Sequence, residues 1–491
     1  MLTDLESKQV DSALKQSDDA FQKYRNATGA TKAIFLESIA TEIEALGDRL
    51  IHEAMRETNL PEARLAGERG RTCNQLRQFA ALVKEGSWVE ARIDTAIPDR
   101  APLPKPDLRK MMVPLGPIVV FGASNFPFAY STAGVDTASA LAAGCSVVLK
   151  AHPAHLRTSV LVAGAIARAA EKTGVSKYTF QHFEGTSFEV GKALVQHPLT
   201  RAVGFTGSFS GGKALYDYAT QRPDPIPVFA EMGSINPVFI LPGALKARGE
   251  KVAEMYAASI TQSVGQFCTN PGLMLGLQSP ELTKFIEQLS EKMKKIAPGT
   301  MLHPGIASNY NKNREKALAQ KGVVVTALST DQPKENQGVS TLATVKASDF
   351  LNNSTLVEEV FGPYSLLVQA TTIEELKAAA LKLPGQLTAT IIGEEDELVQ
   401  HADLIQLIIA RVGRVIINGV PTGVEVCPSM HHGGPFPSTT DSRFSSVGTD
   451  AIKRFVRPVS FQNFPDSLLP AELKQSNPLG IWRLFNNEMK K

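Results

Sequence analysis

Cys268, Glu231 and Asn125 are the residues of this chain whose types and settings could do chemistry at a carbonyl group. Cys268, in SVGQFCTNPG, follows a helical run and precedes a Pro-Gly turn. A cysteine at the end of an element can have a lowered proton affinity and act as a thiolate, although an isolated cysteine is more often a small buried hydrophobe. Glu231, in VFAEMGSINP, directly follows an apolar run. A carboxylate there is either a base with raised proton affinity or an ion-pair partner. Asn125, in GASNFPF, stands just past a strand pattern, where its amide could stabilise an oxyanion or cap a turn. The string GFTGSFSGG (Gly204 to Gly212) follows a strand pattern and should open a helix whose free amides could hold a phosphate. The plainer reading is a glycine-rich turn. No GxGxxG opens a helix and no GxxxxGK[ST] occurs, so a nucleotide site must use other residues.

These residues need elements to carry them. GPIVVFGA, CSVVLKA and RAVGFTGS are strand patterns separated by the helical stretches STAGVDTASALAAG, SVLVAGAIARAAEKTG and SFEVGKALVQH. Their alternation predicts βαβ units and a parallel sheet, with PVFILP as a fourth strand. Right-handed crossovers make this a doubly wound layer with ligand sites at the strand C-termini. The first ninety residues read as helices, with the amphipathic stripe of AIFLESIATEIEALGDRLIHEAMRE. The proline-rich DTAIPDRAPLPKP then marks a linker or extended arm. After Met232 a second α/β region begins, with helix patterns EKVAEMYAASITQSVG and ELTKFIEQLSEKMKKI and strand patterns GVVVTAL, YSLLVQA, LTATIIG and RVIING. Near the end IKRFVRPVSFQNF alternates like a strand with no partner in its own domain.

Composition excludes several classes. Apolar residues are 43% and charged residues 20% of the 491, an ordinary globular mix rather than a disordered or fibrous one. Lys plus Arg is 51 against 49 Asp plus Glu, a net charge of +2 that creates no strong field, so no nucleic-acid partner is expected. Cys73, Cys145, Cys268 and Cys427 are too few and too scattered for a disulfide scaffold. The opening residues lack the apolar core of a secretory signal, and Pro114, Asn125, Pro127 and Asp136 interrupt the weakly polar stretch Val113 to Leu149. The expectation is a soluble cytoplasmic protein with no membrane partner.

The strings FGASNFPFAYS, SVVLKAHP, GFTGS, AEMGSINP, GQFCTNPG, EEVFGP and IINGV occur in one order over roughly residues 20 to 460. In that order the chain resembles the NAD(P)-dependent aldehyde dehydrogenase superfamily. The resemblance implies an α/β fold with a modified Rossmann cofactor domain (1–90 and 117–232), an α/β catalytic domain (233–436), a β-hairpin oligomerisation arm (91–116 and 453–465) and a C-terminal tail (466–491). It also implies a homodimer or homotetramer, and would supply the partner that the late strand lacks. It makes Cys268 the nucleophile, Asn125 and the Cys268 N–H the oxyanion donors, and Glu231 the base that activates water, despite Met232 and Ser234 as departures from the family motif. Lys150 is placed at the adenosine ribose, Gly207 and Ser208 at the pyrophosphate, Glu359 at the nicotinamide ribose and Phe361 on the nicotinamide side. Phe126 is placed in the substrate tunnel.

The resemblance also bears on specificity. NAD-preferring members often carry Glu three residues after the lysine, where this chain has Pro153; without that carboxylate a 2′-phosphate is not repelled, so NADP is expected, with NAD as the other candidate. His152, His155 and Arg157 are nearby in sequence, as phosphate contacts or as ordinary surface residues. The strings GRTCNQLRQFA, NFPFAYSTAGVDTASALAAG and HHGGPFPSTTDSRFSSVG look most like the α-ketoglutarate semialdehyde (2,5-dioxovalerate) dehydrogenase branch, with the bacterial NADP-dependent fatty aldehyde dehydrogenases sharing much of the wording. A non-catalytic scaffold is the alternative of another class. A substrate with a distal carboxylate should want an arginine, and Arg71 and Arg443 are the candidates; the competing role for Arg71 is an intrahelical pair with Glu68. Cys427, His431 and His432 lack a clear fourth ligand, so no metal is expected.

Overall fold

A computed structural model of the chain describes residues 3–185 and 187–491. Four helices open it: Asp4–Tyr24, Gly29–Glu44, Gly47–Thr58 and Glu62–Glu85. The first starts at a capping box, in which Thr3 accepts the Glu6 N–H while the Glu6 carboxylate accepts the Thr3 N–H. The long stripe predicted as one helical pattern is split at Gly47, whose φ of +56° ends the preceding turn.

These helices pack on a parallel sheet whose strands lie in the order Phe180–Phe183, Val147–Lys150, Ile118–Phe121, Ala202–Thr206, Val228–Glu231. The order reverses direction between Ile118–Phe121 and Ala202–Thr206, which opens a crevice at the strand C-termini. Asn125, Lys150, Ser208 and Glu231 all lie at or just past those ends. The strands are buried because helices cover the sheet, which explains their continuous apolar runs.

PVFILP does not join this sheet. Its strand, Val238–Ile240, lies between Leu273–Leu277 and Gln386–Ile392 in a seven-stranded sheet, and the neighbour of Ala202–Thr206 is instead Val228–Glu231. An apolar run identifies a strand without identifying its neighbours. The second sheet continues outward through Tyr364–Ala370 and Thr341–Lys346 to antiparallel Val324–Leu328 on one side, and to Val412–Ile417 on the other.

In the third sheet Val456–Gln462 pairs antiparallel with Leu108–Pro114 along its whole length, so the late strand finds its partner in the segment 91–116. Residues 466–491 are not a mere tail, because Arg483–Phe485 pairs parallel with Arg92–Asp94 and antiparallel with Glu488–Lys490. Among the described residues no helix is long and apolar enough to cross a membrane.

The arm joins the first unit through a buried ion pair. Arg454 Nη1 lies 2.7 Å from Asp136 Oδ1, and the two side chains are 4% and 7% exposed. Arg454→Met should therefore lower unfolding free energy in urea by about 3–5 kcal/mol, because it strands the Asp136 carboxylate. The double variant Arg454→Met/Asp136→Leu should lose less. An equal or larger loss in the double variant would show that the pair is not the cause.

Candidate active site

Glu231 ends its strand against the loop that follows Pro435. The Met232 N–H donates to the Ser438 carbonyl (2.8 Å) and the Ala230 N–H to Thr440 Oγ1 (3.0 Å). The same loop brings in His432. Its Nε2 is 3.0 Å from Glu231 Oε1 and 3.5 Å from Cys268 Sγ, while the Ser446 hydroxyl donates to Glu231 Oε2. Sulfur, nitrogen and carboxylate oxygen all lie within 4.8 Å of one another. His432 was grouped by sequence with Cys427 and His431; the fold separates it from them and delivers it to Glu231 and Cys268, which are 201 and 164 residues away.

Cys268 comes from the second unit. The helix Pro242–Thr261 runs into a turn in which Ser263, Val264 and Gly265 have φ of +48°, +58° and +65°. A β-branched residue there is strained, and such strain persists only where the surroundings enforce it. A Cβ on Gly265 would come 2.2 Å from the Gly362 carbonyl, so the turn is pressed onto the EEVFGP segment. Asn236, buried and at φ +46°, fixes the segment from Cys268 to Asn270: its amide donates to the Cys268 and Asn270 carbonyls, both at 2.9 Å. Gln386 Oε1 in turn accepts from Ser234 Oγ (2.9 Å) and the Ile235 N–H (2.8 Å). This network ties the segment bearing Glu231 to the one bearing Cys268.

Asn125 Nδ2 donates to the Gln266 carbonyl (3.2 Å), two residues before the cysteine. Arg64, which sequence reading passed over, donates to the Asn125 carbonyl (2.8 Å) and lies over the rings of Phe126 (4.7 Å) and Phe267 (5.1 Å). Phe126 also meets Tyr130 edge to face at 5.4 Å. Phe126, Tyr130 and Phe267 thus form an aromatic wall beside Cys268.

The electrostatics are asymmetric. Burial pushes the Glu231 carboxyl up, but the charge and hydrogen bond of His432, with the hydrogen bonds from Ser446 and the thiol, outweigh it and hold the group below its ordinary range. The Cys268 thiol goes the other way. Burial raises it well above its ordinary value, the Glu231 carboxylate raises it further, and Arg71 opposes both. The resting cysteine is a thiol beside a carboxylate.

The remaining candidates divide. Lys150 ends its strand with Nζ donating to the Ala151 carbonyl (3.1 Å), and burial lowers its proton affinity. Ser208 caps the helix Phe209–Thr220, accepting the Gly211 N–H (3.2 Å), with Gly207 packed on the Phe205 ring. The Glu359 carboxylate accepts the Ser234 N–H at 3.4 Å, and burial pushes its carboxyl up to about 7. Phe361 and Glu359 line one small cavity with Ser234, Phe267 and Asn270. Arg71 is brought to the aromatic wall, 5.7 Å above Tyr130. Two candidates make no contact with this cluster among the described residues. His152 stacks on His155 at 5.5 Å, and burial drops its proton affinity to about 3, so it brings no charge to a phosphate at neutral pH. Arg443 is 78% exposed with its fork spent on Asp441. Cys73 and Cys145 are buried in the core, on the Ala40 and Phe455 carbonyls.

The model of the Aldehyde dehydrogenase family matches residues 2–458. The chain belongs to the aldehyde dehydrogenase family. It is 50% identical over 475 residues to alpha-ketoglutaric semialdehyde dehydrogenase 2 of Azospirillum brasilense, covering 97% of this chain and 90% of the relative. An alpha-ketoglutaric semialdehyde dehydrogenase of Acinetobacter baylyi is 48% identical over 479 residues, 97% of this chain and 91% of the relative. The fold is that of the betaine aldehyde dehydrogenase of Staphylococcus aureus solved with NAD+, with a TM-score of 0.79 at 20% identity over 94% of this chain and 88% of that one. This aldehyde dehydrogenase is an oxidoreductase acting on aldehydes, in a family that uses NAD(P).

The coupling between thiol and carboxylate is directly measurable. In the cofactor-free enzyme, Glu231→Gln removes the negative charge that raises the Cys268 thiol, so the apparent pKa of iodoacetamide labelling should fall and labelling at pH 7.5 should quicken. An unchanged labelling profile would mean that the carboxylate does not act on the sulfur.

Proposed function

We propose that this aldehyde dehydrogenase oxidises α-ketoglutarate semialdehyde to 2-oxoglutarate, with Cys268 as nucleophile. The observation that carries the chemistry is the convergence of Cys268, His432 and Glu231 at one point beside the Asn125 amide. The substrate is supported by relatives of that activity at 50% and 48% identity.

Cys268 Sγ bonds to the aldehyde carbon, and its proton leaves toward the adjoining Glu231–His432 pair. The carbonyl oxygen becomes an oxyanion held by the Asn125 amide and the Cys268 N–H. NAD(P) supplies the hydride acceptor when bound, which leaves the acyl group on sulfur as a thioester. Glu231, having passed the thiol proton on to solvent, then takes a proton from water as the water oxygen bonds to the thioester carbon, and returns it to sulfur as the C–S bond breaks and the acid departs. His432 and Ser446 keep Glu231 ionised so that it can take that proton. A non-catalytic scaffold would use none of these contacts.

The residues present suit a nicotinamide dinucleotide. Glu359 is deeply placed yet accepts a single long hydrogen bond, so its oxygens have capacity for ribose hydroxyls. Ser208, exposed at the start of a twelve-residue helix, leaves neighbouring amides for a phosphate. Lys150 is the residue for the adenosine ribose. We read NADP as accepted. No carboxylate follows Lys150 through His155, while the amides of Arg157 and Thr158 are already taken by Glu57 at 2.9 and 2.8 Å. The 2′-phosphate must then be met by a side chain, and Arg157 is the exposed cation at that helix start. Assembly as a homodimer or homotetramer is supported by the outer edge of Val456–Gln462, a sheet edge without a partner among the described strands.

At saturating NADP, kcat/KM for α-ketoglutarate semialdehyde should exceed that for pentanal about a hundredfold, a difference of about 2.7 kcal/mol. Equal or reversed values would point instead to a fatty or medium-chain aldehyde. Cys268→Ala should abolish aldehyde-dependent NADPH formation with the fold intact; survival of that activity would remove Cys268 as the nucleophile, and its absence from the wild type would favour the scaffold. Arg157→Ala should lower kcat/KM for NADP roughly tenfold more than for NAD, the scale of one charge-assisted hydrogen bond. A wild-type enzyme tenfold better with NAD than with NADP would overturn the cofactor reading.

A further inference from the structure

We infer that Arg71 and Arg414 form a carboxylate subsite beside Cys268, built to take the acid end of a short α-keto acid aldehyde. This subsite deepens the proposed substrate reading and rests on it. The two arginines come from different units: Arg71 from the helix Glu62–Glu85, Arg414 from the edge strand Val412–Ile417 of the seven-stranded sheet. Both act on the same two groups, because the charge of each interacts with Cys268 and with the Tyr130 hydroxyl. Arg71 lies over the Tyr130 ring, and Tyr130 in turn meets Phe126 and, at 6.3 Å, His432. Arg71 therefore stands at the aromatic wall of the nucleophile's own pocket, and Arg414 reaches the loop that delivers His432, with Nη1 4.0 Å from Met430 Sδ.

Neither guanidinium forms an ion pair among the described residues, although the Arg71 charge is felt by Glu68. Nε of Arg71 and Nε of Arg414 are buried and have no hydrogen-bond partner among the described residues. The acid that the sequence offered to Arg71 is committed elsewhere. Glu68 Oε1 accepts the Phe128 and Ala129 N–H groups at 2.8 and 3.0 Å, and Glu68 Oε2 faces Arg64 at 3.8 Å. Arg414 donates to the carbonyls of Pro421 (2.7 Å) and Gly423 (3.3 Å), which shapes the neighbouring loop but supplies no countercharge. A buried guanidinium Nε–H without a partner is costly, and a planar fork is matched best by a carboxylate. Arg64 differs: it has Glu68 nearby and is occupied by the Asn125 carbonyl.

A short substrate keeps its acid end near the sulfur. Four carbon–carbon bonds of about 1.5 Å place the acid carbon of a five-carbon aldehyde roughly 5 Å from its aldehyde carbon. An acid end so close to the sulfur falls within reach of charges that also act on the sulfur. A long alkyl tail would instead lay hydrocarbon against two uncompensated cations.

The test compares wild type, Arg71→Met, Arg414→Met and the corresponding lysine variants, each checked for folding by its thermal transition. kcat/KM is measured for α-ketoglutarate semialdehyde and for pentanal, together with inhibition by glutarate as a non-reacting acid probe. Each Met variant should lower the ratio of the two kcat/KM values roughly 10- to 150-fold, through KM, and weaken glutarate by a similar factor. The lysine variants should recover part of both effects. Should Arg414→Met fail to fold because its loop contacts are lost, Arg414→Lys carries the same test with a smaller expected drop. A wild type without preference for the acid would sink the substrate reading. A wild type that prefers the acid, with variants that keep the full preference and full glutarate binding, would sink the subsite and leave the substrate reading in place.

Discussion

The charge on Glu231 is the constraint around which the rest of the site is arranged. A carboxylate that is 3% exposed is stable as an anion only if its surroundings replace the water it has lost. Here the replacement is a histidine that is itself 1% exposed and a serine hydroxyl, both delivered by the loop that also clasps the end of the Glu231 strand. The same charge acts on its neighbour, because it stands beside the thiol and raises it. A cysteine kept as a thiol is protected while no aldehyde is present, and the carboxylate that keeps it so is the group positioned to receive its proton.

Glu231 ends a strand of the first sheet and Cys268 lies in the loop leading into the second, so the site exists only while those sheets stay in register. The Asn236 amide holds the carbonyls of Cys268 and Asn270, and Gln386 holds the segment on which Asn236 sits. Each of these polar groups is buried, and losing one partner would leave the others unsatisfied, at about 1–3 kcal/mol for each stranded group. The left-handed turn at Ser263 to Gly265 adds to this rigidity: its strain is held in place by the Gly362 backbone and by the side chain of Val264 against Gly299 and Gly338. The site is thus pre-organised by contacts that carry no chemistry themselves.

Much of the candidate site was legible in the sequence, because Cys268, Glu231 and Asn125 each lie in a short string whose local order is informative. The residues that stayed hidden share one physical character. His432, Arg64, Asn236 and Arg414 act through partners distant in the chain, and nothing in the strings around them differs from an ordinary loop, helix or strand. His432 looked like part of a weak local cluster, and Arg443 like a pocket arginine, because nearness in sequence was the only measure available. The strand pattern PVFILP was recognised and placed in the wrong sheet for the same reason.

The sequence by itself determined which segments are strands and helices, and which motif carries the nucleophile and which the base. The elements rest on local periodicity and the proposed roles of Cys268 and Glu231 on the motifs around them, and both are written along the chain. Only the tertiary structure decided that a histidine completes the pair of Cys268 and Glu231, that residues 466–491 extend the arm sheet, and that Arg71 loses Glu68 to backbone amides and Arg64. Those outcomes depend on which buried donors and acceptors are left without partners once the chain has packed, and that is set by the whole fold at once.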